Sequence, residues 1–93
     1  MGYVFEFEDN VPDYRPRAED DDDALFRVEE RIRAERAKTS GRAAADTMEI
    51  FVMEDWEDNG DGSRQCTLGG DDYSELGTLF WYPAKLNTVH VRT

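Results

Sequence analysis

The residues with the most reactive side chains here are one cysteine and one histidine, and neither comes with the partners that catalysis needs. His90 alternates with Val89 and Val91 in a C-terminal strand-like run, so its imidazole falls on the face opposite the valines. No Ser or Cys nucleophile lies near it in sequence, and a general base without a proton to abstract is an ordinary surface residue. Cys66 alternates with Arg64 and Leu68 in another strand-like run, the pattern of a small buried hydrophobe. A single cysteine gives no internal disulfide and no thiolate metal cluster, which places the chain in a reducing, cytoplasmic setting. Carboxylates are abundant, but a tuned acid/base pair needs burial or a partner, and residues in polar loops have neither. The expectation is a chain that is not an enzyme, with no cofactor and no metal.

Three short motifs carry partial signals. Asp55-Trp56-Glu57-Asp58-Asn59-Gly60-Asp61 partly resembles the calcium loop of an EF-hand, with oxygen ligands at alternate positions and glycine sixth. The twelfth position is Cys66 where a bidentate Glu is needed, and the flanks read as strands, so an acidic hairpin turn is the better reading. Gly69-Gly70-Asp71-Asp72 is similar to the signature of cyclic-dinucleotide cyclases, but the chain is far too short for that domain. Gly60-Asp61-Gly62 lacks the Lys-Ser/Thr of a phosphate loop, and its carboxylates would repel phosphate.

The elements that would position these residues follow from periodicity. Tyr3 to Glu8 reads as a strand with Tyr3, Phe5 and Phe7 on one face. Pro12 and Pro16 make residues 9–17 an extended connector. Glu19-Asp20-Asp21-Asp22-Asp23 then precedes a helical run at about 20–39, where acids complement the positive end of the helix dipole and cap its free N–H groups. Leu25, Val28 and Ile32 share one face of that helix, Arg27, Arg31, Arg33, Arg36 and Lys38 crowd toward its C-terminal end, and Gly41 stops it. Thr47 to Trp56 is a second strand, apolar on both faces, which predicts a central place in the sheet. Residues 58–62 turn the chain back into Ser63 to Leu68, residues 69–72 read as a loop, and Thr78 to Tyr82 and Asn87 to Arg92 complete the set. The fold class is therefore α+β: one α-helix on a four- to five-stranded, mainly antiparallel sheet, in the order β-α-β-β-β-β, as a single domain over residues 1–93.

Charge supplies the functional expectation. Twenty-two acids against eleven bases give −11, divided as −7 over residues 1–23, +2 over 24–46 and −6 over 47–93. Phosphates and anionic membrane surfaces would be repelled, so the partner is a basic protein and not nucleic acid or a membrane. The N-terminus lacks a signal-peptide pattern, and no stretch has the length of a membrane-spanning helix. In size and charge the chain is similar to DNA-mimic inhibitors, among them phage anti-CRISPR and anti-restriction proteins, although no motif ties it to a family. That similarity implies an inhibitor occupying the basic nucleic-acid-binding site of its target. The expected contact residues are Glu19, Asp20, Asp21, Asp22, Asp23, Glu54, Asp55, Glu57, Asp58, Asp61, Asp71 and Asp72, with Trp56 and Trp81 as aromatic anchors. The competing expectation is a structural or regulatory adaptor docking through the aromatic sheet surface or the Leu25/Val28/Ile32 helix face. Like-charge repulsion favours a monomer or at most a weak homodimer formed through a strand edge.

Overall fold

The computed structural model describes residues 2–83. Four strands form one antiparallel sheet in the order β1-β4-β3-β2, with a long helix packed on one face. They are β1 (Gly2–Phe7), β2 (Ile50–Asp58), β3 (Arg64–Gly70) and β4 (Glu75–Tyr82); the helices are α1 (Asp21–Ser40) and a short α2 (Arg42–Thr47). The predicted strand Asn87 to Arg92, and His90 with it, lies outside the described residues. No helix of the described residues is long and apolar enough to cross a membrane.

Helix α1 forms where the acidic run predicts it. The Asp20 carboxylate caps the helix by accepting the Asp23 N–H at 2.8 Å, and Asp21, Asp22 and Asp23 occupy the first turn against the dipole. Gly41, at φ 87°, ends it and donates its N–H to the Ala37 carbonyl at 3.1 Å. Ala24, Val28 and Ile32 lie on the sheet side and are buried. They meet Tyr3 and Phe5 of β1, Cys66 and Leu68 of β3 and Leu79 of β4. Phe5, Val28, Leu68 and Leu79 are almost completely removed from water, each contributing about 1.5–3 kcal/mol by burial. Immediately after α1 the chain turns through α2, an element that the sequence reading lacks. Arg33 fastens this corner by donating from Nη1 to the carbonyls of Ala45 (2.7 Å) and Met48 (3.0 Å).

Two expectations are corrected. β2 was expected at the centre of the sheet, yet among the described residues it pairs only with β3 and forms an edge, while β3 and β4 are central. Its two-sided apolar pattern has another origin. Ile50 and Trp56 pack against the core, whereas Phe51 and Met53 fill the space above Gly69, where a Cβ would collide with Met53 and crowd Phe51. Two register shifts and the charges at Glu54, Asp55, Glu57 and Asp58 blunt this edge against further pairing. Second, Gly69 and Gly70 are not loop residues but the end of β3; their missing side chains admit Phe51, Met53 and Leu76. The opposite edge is protected differently. The connector returns along β1, where Phe5 and Tyr14 exchange both backbone hydrogen bonds (2.7 and 2.9 Å).

Candidate functional site

Where β3 begins, Arg64 is held by one carboxylate and two aromatic rings. Its guanidinium donates from Nη1 and Nη2 to the two carboxylate oxygens of Asp21, at 3.0 and 3.1 Å. The fork geometry matches the carboxylate, which makes this the strongest class of ion pair. The rings of Trp56 and Trp81 lie 4.8 and 4.7 Å from the guanidinium carbon, so the cation sits between two aromatic walls. Tyr3 donates its hydroxyl to Asp21 Oδ1 at 2.8 Å and fixes the carboxylate from behind. Four strands and the N-terminus of α1 are thereby joined at one point. The Arg64 hydrogen bonds, aided by Tyr3 and opposed by burial, lower the Asp21 pKa below the usual carboxylate range. The same pair holds Arg64 more firmly protonated, and burial together with Asp21 pushes the Tyr3 phenol up.

This clamp sets the N-terminus of α1 beside the β2–β3 hairpin, and with them most of the predicted contact residues. Glu19, Asp20 and Asp22 are exposed there, as are Glu57, Asp58 and Asp61 of the hairpin. Several of these carboxylates also organise their own loops. Asp58 accepts the Gly60 N–H at 2.9 Å, and Asp61 accepts both the N–H and the hydroxyl of Ser63, which lowers its pKa. Asp23 is paired with Arg27 at 3.1 Å and accepts the Glu19 N–H, the arginine holding its pKa down. Asp21 and Asp23 are thus neutralised by the protein's own arginines.

The remaining predicted residues lie elsewhere. Asp55 accepts the Trp56 N–H at 2.7 Å on the β2 edge, and Glu54 stands opposite Thr67 in mid-sheet. Asp71 and Asp72 are at the far end of β3, where Asp71 accepts the Glu49 N–H at 3.0 Å and approaches Arg36 at 3.9 Å. The predicted carboxylates form a group at each end of the sheet, with Glu54 and Asp55 between them along β2. Trp56 and Trp81, expected as open anchors, are engaged with Arg64 and the core. The Leu25/Val28/Ile32 face of α1 is turned inward, Val28 and Ile32 being buried and Leu25 packed against the core, so it is not an open docking face. Among the described residues, the large apolar side chains that are well exposed are Phe26, Val52 and Tyr73.

The Asp55–Asp61 motif is the end of β2 and a hairpin turn, and among the described residues no group of three or more His, Cys, Asp or Glu side chains is gathered around a metal-sized site. Cys66 is buried, which raises its thiol pKa to about 11 and keeps it protonated at neutral pH. Arg64 was the residue missed as a functional element. Its signal was isolation: it is the single basic residue between Arg42 and Lys85, in a stretch otherwise charged only with acids. Compared with known proteins, the chain matches no family model, no curated protein and no solved structure.

Proposed function

We propose that this chain is a non-enzymatic inhibitor that binds a basic protein in the cytoplasm and occupies its nucleic-acid site as a monomer. Glu19, Asp20, Asp22, Glu57, Asp58 and Asp61 stand where the target expects phosphates. The supporting observation is the Arg64 clamp, which draws two acidic segments, distant in sequence, to one end of a rigid frame. Carboxylates held on a fixed frame lose little entropy on binding, and their summed field steers a cationic surface toward them. Carboxylates whose geometry is set by turn and cap hydrogen bonds are likewise already in place.

The test is retention of a basic protein from the native cell on the immobilised chain, followed by elution. Elution by duplex DNA, and by modest salt, is the expected result. Glu19→Gln, Asp20→Asn and Asp22→Asn together should weaken retention about tenfold or more. Asn still caps helices, so this variant keeps α1 while losing charge. A partner that holds DNA and this chain at the same time would end the mimic reading.

A further inference from the structure

At the end of the sheet remote from Arg64, the last turns of α1 pass the end of β1 and the start of β4, and a cleft of about 230 Å³ opens between them. Ile32 and Met48, both buried, and Phe7 and Leu76, both half-buried, give it an apolar lining. Its charged groups divide by wall. On the helix side, Lys38 is paired with Glu35 at 3.2 Å and Arg36 approaches Asp71 at 3.9 Å, so each cation already faces a carboxylate. On the strand side Asp9 and Glu75 are exposed at the rim, and among the described residues neither forms an ion pair. A third carboxylate joins them. Glu8 donates its N–H to the Leu76 carbonyl at 3.0 Å, which sets its side chain against that of Glu75, and the two repel whenever both are ionised.

We infer that this cleft binds a small unbranched primary amine in its ammonium form, with the alkyl chain against Ile32, Met48, Phe7 and Leu76 and the charged head at Glu75 and Asp9. Size, polarity and charge select that ligand. At about 30 Å³ per non-hydrogen atom, the share of a liquid water, pentylammonium takes roughly 180 Å³ and fills most of the cleft. An apolar hollow with carboxylates on one rim has the same division as an alkylamine, and each methylene removed from water strengthens binding about fourfold. The ammonium brings three donors and a positive charge to carboxylates that otherwise repel one another. An anionic ligand is the poorer occupant, because it would compete with Glu35 and Asp71 for their cations while lying beside Glu8, Asp9 and Glu75. A diamine is poorer too, since its second ammonium meets the wall that carries Arg36 and Lys38. This inference is independent of the proposed inhibition, which uses the hairpin end.

Titration of the full chain with n-pentylamine at neutral pH, followed through the methyl NMR signals of Ile32, Met48 and Leu76, tests it. Saturable shifts of those methyls, with the amides of Gly60 and Gly62 unmoved and a dissociation constant on the order of millimolar, are the expected result. Propylamine, two methylenes shorter, should bind about tenfold more weakly, and 1,5-diaminopentane more weakly than pentylamine. Glu75→Gln removes a like-charge contact and so keeps the fold, and it should weaken pentylamine about fivefold. Glu30→Gln, which deletes the same charge from the exposed side of α1, should leave binding unchanged. Absence of saturable shifts in the cleft overturns the inference, as does pentan-1-ol or pentanoate binding as tightly as the amine. So do equal shifts with ammonium chloride, or equal losses from Glu30→Gln and Glu75→Gln, either of which would reduce the effect to general attraction of cations.

Discussion

The two ends of the sheet are both acidic, yet they are built on opposite principles. They are separated by β3, whose seven residues span about 20 Å. At the Arg64 end a carboxylate is matched by a guanidinium, walled by two indoles and braced by a phenol. At the Asp71–Glu75 end, Asp71 has only a loose ion pair among the described residues, with Arg36 at 3.9 Å. There Glu8 lies against Glu75 and raises its pKa, first through a hydrogen bond that needs a shared proton and then through like-charge repulsion. The backbone differs as well: Asp72 and Tyr73 both adopt positive φ, at 60° and 58°. Negative charge therefore stabilises one end and burdens the other, and net charge alone cannot say which.

Removing Arg64 should cause the largest change. Arg64→Ala leaves Asp21 without its partner and opens space between Trp56 and Trp81. Breaking a fully buried pair costs about 3–5 kcal/mol, but this one is about a third exposed, so roughly 2 kcal/mol is expected after solvent screening. Arg64→Lys keeps the charge but loses the fork and the stacking, and should cost about half as much. Urea unfolding followed by tryptophan fluorescence reads both, since both indoles touch the guanidinium. Equal midpoints for wild type and Arg64→Ala would mean that the clamp contributes nothing and the two ends are alike.

Acid titration separates the ends by sign. The folded-state pKa of Asp21 is depressed, so its stabilisation is complete above the ordinary carboxylate value, about 4, and is lost as pH falls through the folded value. Glu75 is raised, so its contribution runs the other way: stability is greater below the ordinary value and falls as pH rises through the folded one. Glu75→Gln should therefore raise the urea midpoint at pH 7, an advantage that fades as the pH is lowered toward about 4. The penalty of Arg64→Ala should persist through that window and shrink only below it. If both differences vanish over the same pH range, the contrast between the ends is wrong.

Much of the fold was legible because its signals are local. The capping aspartates, the Val28/Ile32 stripe and Gly41 bound α1 almost to the residue, and Asp58-Asn59-Gly60 marks the hairpin. The errors arose where a residue answers to a distant one. Gly69 and Gly70 read as a loop because glycine has no side chain to signal burial, yet they are buried so that Phe51, Met53 and Leu76 fit. β2 read as central because Phe51 and Met53 are apolar, while its edge position is set by which strands β4 joins. The site divides in the same way. The carboxylates were visible as a composition, but the pairing of Asp21 with Arg64, 43 residues away, required the fold.

The smallest expected effect tests the backbone contrast. At Asp72 the left-handed conformation carries a steric penalty that glycine does not share, although Asp tolerates it better than most residues. The Asp72 side chain makes no hydrogen bond among the described residues, so Asp72→Gly removes strain and one negative charge without removing a contact of that kind. Glycine's larger loss of backbone freedom on folding offsets part of the gain. The net stabilisation expected is about 0.5 kcal/mol, read as a small rise in urea midpoint. The matching change at the other end should have the opposite sign, because Asp20→Gly deletes the cap on Asp23 as well as a charge and should cost a few tenths of a kcal/mol. One substitution type giving opposite signs at two acidic positions would locate the difference in what each carboxylate touches. A loss at both would mean that Asp72, like Asp20, holds its loop together.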